Sequence, residues 1–109
     1  MTEYNPEPFV VAGALFMDSK EFKPGKPAWH HDVILDELDM EDPDDCVLGQ
    51  TWGGYLPALT RFGIQPGSSD LIYLGFDVPA EPAETKSERY ALLTAAWKKL
   101  IQERLASAA

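Results

Sequence analysis

Along most of this chain apolar residues return every third or fourth position, the spacing of one helix face. The last block is the clearest. Leu92, Leu93, Ala96, Trp97, Leu100, Ile101 and Leu105 form a broad stripe, with Lys98, Lys99, Gln102 and Glu103 opposite. Thr85-Lys86-Ser87-Glu88 precedes it with capping-box spacing, Thr85 at the N-cap and Glu88 reaching back. Lys98, Lys99 and Arg104 lie toward the end where the helix dipole favours cations. The pattern predicts a helix over 86–106.

Phe9, Ala12, Leu15 and Phe16 in the first apolar block have helical spacing. The β-branched Val10 and Val11 would suit a buried strand, but block length and the small Ala12, Gly13 and Ala14 favour a helix over 9–19. Residues 1–8, with two prolines, read as a flexible arm. Pro24-Gly25 and Pro27 mark a break. Val33, Ile34, Leu38 and Met40 then alternate with acids, which predicts a short helix over 31–40 burying those four and ending before Pro43. Leu48, Trp52, Tyr55, Leu59 and Phe62 carry helical spacing over 46–62, with Asp44 or Asp45 as N-cap. Gly49, Gly53, Gly54 and Pro57 predict a kink there, with a hairpin at Gly53-Gly54 as the alternative. Gly49 and Gly53, four apart, would let a neighbouring helix approach. Residues 63–83 read as loop around a short apolar piece at 71–76, a helical turn or an edge strand, and 79–84 as a stiff linker.

With 109 residues this is one domain, a globular body over 9–109 behind the arm. The expected fold is mainly α: a small bundle of about four helices with a long loop before the last. Trp29, Leu48, Trp52, Leu59, Leu93, Trp97 and Leu100 should share one core.

Eighteen acidic and nine basic residues give a formal net charge of -9. Lys20, Lys23 and Lys26, and Lys98, Lys99 and Arg104, form only loose groups. That disfavours direct nucleic-acid binding and binding to an anionic membrane. No apolar run approaches the roughly 18 residues of a membrane span. The single cysteine implies no internal disulfide, and the acidic start is unlike a secretory signal. These features lead us to expect a cytoplasmic protein.

Eight of the fourteen residues over 32–45 are acidic. As a calcium loop starting at Asp39 the segment fails, with Pro43 at position 5 and Asp44 where glycine is needed. An acidic solvated face is the plain reading; the sharper one is a docking surface for a basic partner, made by Asp36, Glu37, Asp39, Glu41 and Asp42. His30-His31-Asp32 lacks the upstream histidine of an HD-type phosphohydrolase. A zinc site from these histidines and Cys46 has no supporting spacing. Cys46 could be a nucleophile at a helix start, but Asp44 and Asp45 oppose its thiolate. Gly49-x-x-x-Gly53-Gly54 lacks the Gly-Lys-Ser/Thr ending of a phosphate loop. We therefore expect no catalytic constellation, no metal and no cofactor.

Trp29, Leu38-Asp39-Met40, Cys46-Val47-Leu48-Gly49-Gln50, Tyr55, Leu74-Gly75-Phe76 and a final helix with Tyr90, Leu93, Trp97, Ile101 and Arg104 occur in an order that resembles a group of small uncharacterised proteins of mycobacteriophages and other actinobacterial phages. The similarity spans roughly residues 10–104. Those proteins carry Pro-Gly-Trp in the first loop, where this chain has the longer Pro24-Gly25-Lys26-Pro27-Ala28-Trp29. The resemblance implies a setting, a phage accessory protein in the cytoplasm of an infected bacterium, and no activity. The expected function is non-enzymatic: binding a host or phage protein through the acidic face. Self-association as a structural protein is the alternative, followed by a small metal-dependent or cysteine-dependent enzyme.

Overall fold

Proline is tolerated where a helix start has no partners for its N–H groups, and helix α1 (Glu7–Asp18) uses this twice. Pro6 sits at the N-cap and Pro8 in the first turn, so the helix begins before the apolar block does. The structure, a computed structural model, describes residues 4–20, 22 and 28–107. Residues 4–8, expected within a flexible arm, are built into the body: Pro6 is buried and Tyr4 stacks on Phe9 with ring centroids 6.0 Å apart. Residues 1–3 and the expected Pro24-Gly25 break lie outside the described residues.

The inner face of α1 is Val10, Gly13, Ala14 and Met17. A Cβ on Gly13 would stand 1.9 Å from the Leu74 carbonyl oxygen and 3.0 Å from the Trp97 ring. Glycine there lets α1 lie directly on the backbone of residue 74.

The helix expected over 31–40 is replaced by two 3-10 turns, Trp29–Asp32 and Leu35–Glu37. Local side chains compete for the backbone. Gln50 Oε1 accepts from the Ile34 amide at 2.6 Å, and Gln50 Nε2 donates to the Ile34 carbonyl at 3.3 Å. Asp39 and Asp42 accept amide bonds from residues two further on, Glu41 at 3.0 Å and Asp44 at 2.8 Å. Val33, Leu38 and Met40 are buried as expected, but Ile34 is 56% exposed.

The 46–62 block is two helices, α2 (Val47–Thr51) and α3 (Tyr55–Phe62). Gly53 and Gly54 break it with φ of 81° and 132°, conformations that L side chains resist. The α2 N-cap is Cys46, not Asp44 or Asp45, and its Sγ accepts from the Gly49 amide at 3.2 Å. Gly49 admits no neighbouring helix. Its Cα is covered by the chain itself, with a Cβ 2.3 Å from the Pro43 oxygen.

Helix α4 (Asp70–Tyr73) is the short apolar piece, and α5 (Lys86–Ser107) the long terminal helix. Arg89, Leu93, Trp97 and Ile101, four apart in turn, are its buried residues. Leu100 is only half-buried and Leu92 is 43% exposed. The capping box does not form: residues Ala83–Thr85 make a 3-10 turn, and the Thr85 hydroxyl donates to the Pro82 carbonyl and accepts from Arg89. Arg89 also donates from Nε and Nη2 to the Pro79 carbonyl, at 3.1 and 2.6 Å, and from Nη2 to the Pro82 carbonyl at 2.9 Å. The fold is mainly helical, with five α-helices and no strand among the described residues.

Helix α1 packs on α4 and α5, and α2 on α3 and the Trp29 turn. A continuous path of aromatic rings runs through the core: Phe22, Trp52, Phe62, Phe16, Phe76, Trp97, Trp29 and His30, with neighbouring centroids 5.1–6.3 Å apart. Trp97 is fully buried, and its indole N–H donates to the Gly75 carbonyl at 2.7 Å. Of the expected core, Trp29, Leu48, Leu59, Leu93 and Trp97 are buried, while Trp52 is partly exposed.

Candidate functional site

The turns that replace the 31–40 helix turn its acidic side chains outward. Asp36, Glu37, Asp39 and Glu41 are exposed, and Asp42 is half-buried. The five carboxylates are not equivalent. Asp39 and Asp42 hold backbone turns through their Oδ1 atoms, and Glu41 Oε2 accepts from the Ser87 hydroxyl at 3.3 Å. The Asp36 and Glu37 side chains carry no such bond among the described residues. Just ahead of them in the chain the Ile34 side chain is exposed, its backbone fixed by Gln50 at both polar atoms. Gln50 Nε2 also donates to the Asp45 carbonyl at 3.0 Å, so one amide ties both ends of the acidic segment to α2. The sequence reading placed Ile34 in the core and missed this arrangement.

The acidic segment borders a hollow of about 240 Å³, lined by Met40, Glu41 and Pro43 on its side and by Tyr55, Phe76, Asp77 and Tyr90 across it. Asp77 Oδ1 accepts from the Tyr90 hydroxyl at 2.7 Å and from the Val78 amide at 2.8 Å. Burial, with Asp77 next, pushes the Tyr55 phenol up to about 12. Burial and the bond to Asp77 raise the Tyr90 phenol further. Both phenols therefore stay protonated at neutral pH, and that of Tyr90 donates to Asp77.

Cys46 also faces this hollow. It is 2% exposed, and burial pushes its thiol above the ordinary range, so the thiolate a nucleophile needs is disfavoured. His30 lines a different hollow, with Leu100, Glu103, Arg104 and Ser107, while His31 is exposed. Burial lowers the His30 pKa, with His31 and Arg104 adding to the effect. Its Nδ1 is buried with no hydrogen-bond partner among the described residues. The Trp29 indole N–H donates to Asp18 Oδ1 at 2.9 Å, and Arg104 grips both oxygens of Asp18 at 2.8 and 2.9 Å. Arg104 holds the Asp18 carboxyl below its usual range.

Among the described residues no group of three or more His, Cys, Asp or Glu side chains is placed to hold a metal ion. Nor is any helix among them long and apolar enough to cross a membrane. The chain matches no protein-family model, no curated protein and no solved structure.

Proposed function

We propose that this chain is a non-enzymatic interaction module that binds a basic face of a partner protein through its acidic segment. In the setting implied by the phage resemblance, it would be an accessory protein acting on a host or phage protein in the bacterial cytoplasm. The observation that carries the reading is Ile34. It is 56% exposed, fixed through its backbone by Gln50, and followed closely in the chain by the exposed Asp36 and Glu37. An apolar side chain on a fixed backbone has less entropy to lose on docking, and acidic neighbours steer a partner of opposite sign. Asp39, Glu41 and Asp42 extend that acidic stretch.

The test is affinity capture of the tagged protein from actinobacterial lysate at low and high salt, beside two variants. One carries Ile34→Ala; the other neutralises Asp36, Glu37, Asp39, Glu41 and Asp42. A partner retained by the parent, weakened by salt and lost from both variants supports the reading. Equal retention by both variants defeats it.

Self-association has its own support. Val11 and Leu15, one turn apart on α1, are 49% and 61% exposed. Light scattering that finds a salt-insensitive dimer, abolished by Leu15→Glu, would favour that reading.

A further inference from the structure

The hollow between the acidic segment and α5 has a chemistry of its own. None of its lining residues is basic. Two of them are carboxylates with capacity left over. Asp77 Oδ1 is engaged by Tyr90 and Val78, while Asp77 Oδ2 and Glu41 Oε1 accept from no donor among the described residues. Tyr55, Tyr90 and Phe76 supply aromatic surface. Arg89, on α5 beside Tyr90, cannot serve as the counter-ion because it is committed to the Pro79 and Pro82 carbonyls and Thr85. The chain's own Lys86 ammonium stands 5.9 Å from the Tyr90 ring centroid, so this ring already attracts a cation from outside the lining.

Carboxylate oxygens without donors, aromatic walls and no basic side chain together select a cation that is also partly apolar. An anion would be repelled. At about 240 Å³ the hollow lies below the roughly 300–1,000 Å³ of drug-sized sites. A single short chain ending in a charged nitrogen suits that space. We propose that this hollow binds an organic ammonium group, from a free alkylamine or a partner's lysine side chain, between Asp77 and Glu41 and against the rings of Tyr55, Tyr90 and Phe76. The site shares Glu41 with the acidic face, but Asp36, Glu37 and Ile34, which carry the docking reading, do not line it.

The experiment is an NMR titration of the amide resonances of the full chain. The probes are n-butylammonium chloride, the neutral 1-butanol and a short peptide carrying one lysine. The expected result is a saturable shift at Met40, Phe76 and Tyr90 with butylammonium in the millimolar range. Butanol should bind much more weakly. Asp77→Asn and Glu41→Gln should each weaken butylammonium by up to about fivefold, the range of one partly exposed charge contact. Lys86→Gln should strengthen it by removing the internal competitor. Tighter binding of the peptide than of butylammonium would assign the site to a partner's lysine, and equal binding to a free amine.

Equal affinity for butanol overturns the proposal, as does unchanged affinity in both charge variants. If Asp77→Asn fails to fold, Glu41→Gln, on an exposed residue, decides alone. A variant carrying Asp36→Asn and Glu37→Gln should bind butylammonium like the parent. Loss there would place the cation on the acidic face and overturn the pocket without touching the docking reading.

Discussion

Gln50 binds Ile34 as a neighbouring strand would, accepting from its amide at 2.6 Å and donating to its carbonyl at 3.3 Å. One side chain thus substitutes for a backbone partner and leaves the isoleucine side chain in solvent. Gln50→Ala should cost about 0.5–1.5 kcal/mol, because the Ile34 amide loses its partner while the Ile34 and Asp45 carbonyls keep the amides of Glu37 and Asp39. Ile34→Ala should stay within about 0.5 kcal/mol of the parent, as exposed substitutions usually do. Urea denaturation of the two variants checks the contrast.

Gly13→Ala tests the approach of α1 to residue 74. Helix propensity alone would favour alanine by about 1 kcal/mol. The clash with the Leu74 carbonyl is with backbone, which yields poorly, so the net effect should be a loss of about 1–3 kcal/mol. A raised melting temperature would show that the helix and the 74–76 segment are not in contact.

Trp97→Ala should cost about 3–5 kcal/mol and leave a domain of this size largely unfolded. Trp97→Phe keeps most of the packing and removes the bond to the Gly75 carbonyl. It should cost less; both variants lose that bond, so the difference between them, read by thermal denaturation, reports the buried ring volume alone.

Arg89→Lys should be nearly as damaging as Arg89→Met. The guanidinium reaches two carbonyls and a hydroxyl from one planar fork, and an ammonium cannot reproduce that geometry. Each variant should lose about 2–4 kcal/mol in chemical denaturation. Recovery by lysine would show that charge rather than shape holds residues 79–85 to α5.

Acid should weaken the fold in two steps. The folded-state pKa of His30 lies below its ordinary 6.5, so its contribution is complete above that value and is lost as pH falls through the folded pKa. Asp18 is likewise depressed below 3.8, so its contribution is complete above that value and is lost at still lower pH. His30→Gln should flatten the first step of a plot of melting temperature against pH, and Asp18→Asn the second.

Helix α5 was legible because its amphipathic pattern is local and unbroken, and the outward-facing acids because charge avoids burial. The 31–40 segment was not, because its backbone is set by Gln50, a dozen or more residues away in sequence, and by turns through Asp39 and Asp42. Ile34 was misplaced on that account. Arg89 carried a usable signal, a polar residue in the four-residue register of Leu93, Trp97 and Ile101. The hollow did not: Asp77, Tyr55 and Tyr90 meet only once the chain between α3 and α5 has folded back.

The path of rings through the core gives the molecule an optical property. All three indoles, Trp29, Trp52 and Trp97, stand on it within a few rings of one another. Light absorbed at any of them can pass to the others, so the emission spectrum reports on the whole interior at once. The folded protein should show strong near-ultraviolet circular dichroism from the Trp29–Trp97 pair, crossed at 85° and 5.9 Å apart. No dye is needed to follow its assembly.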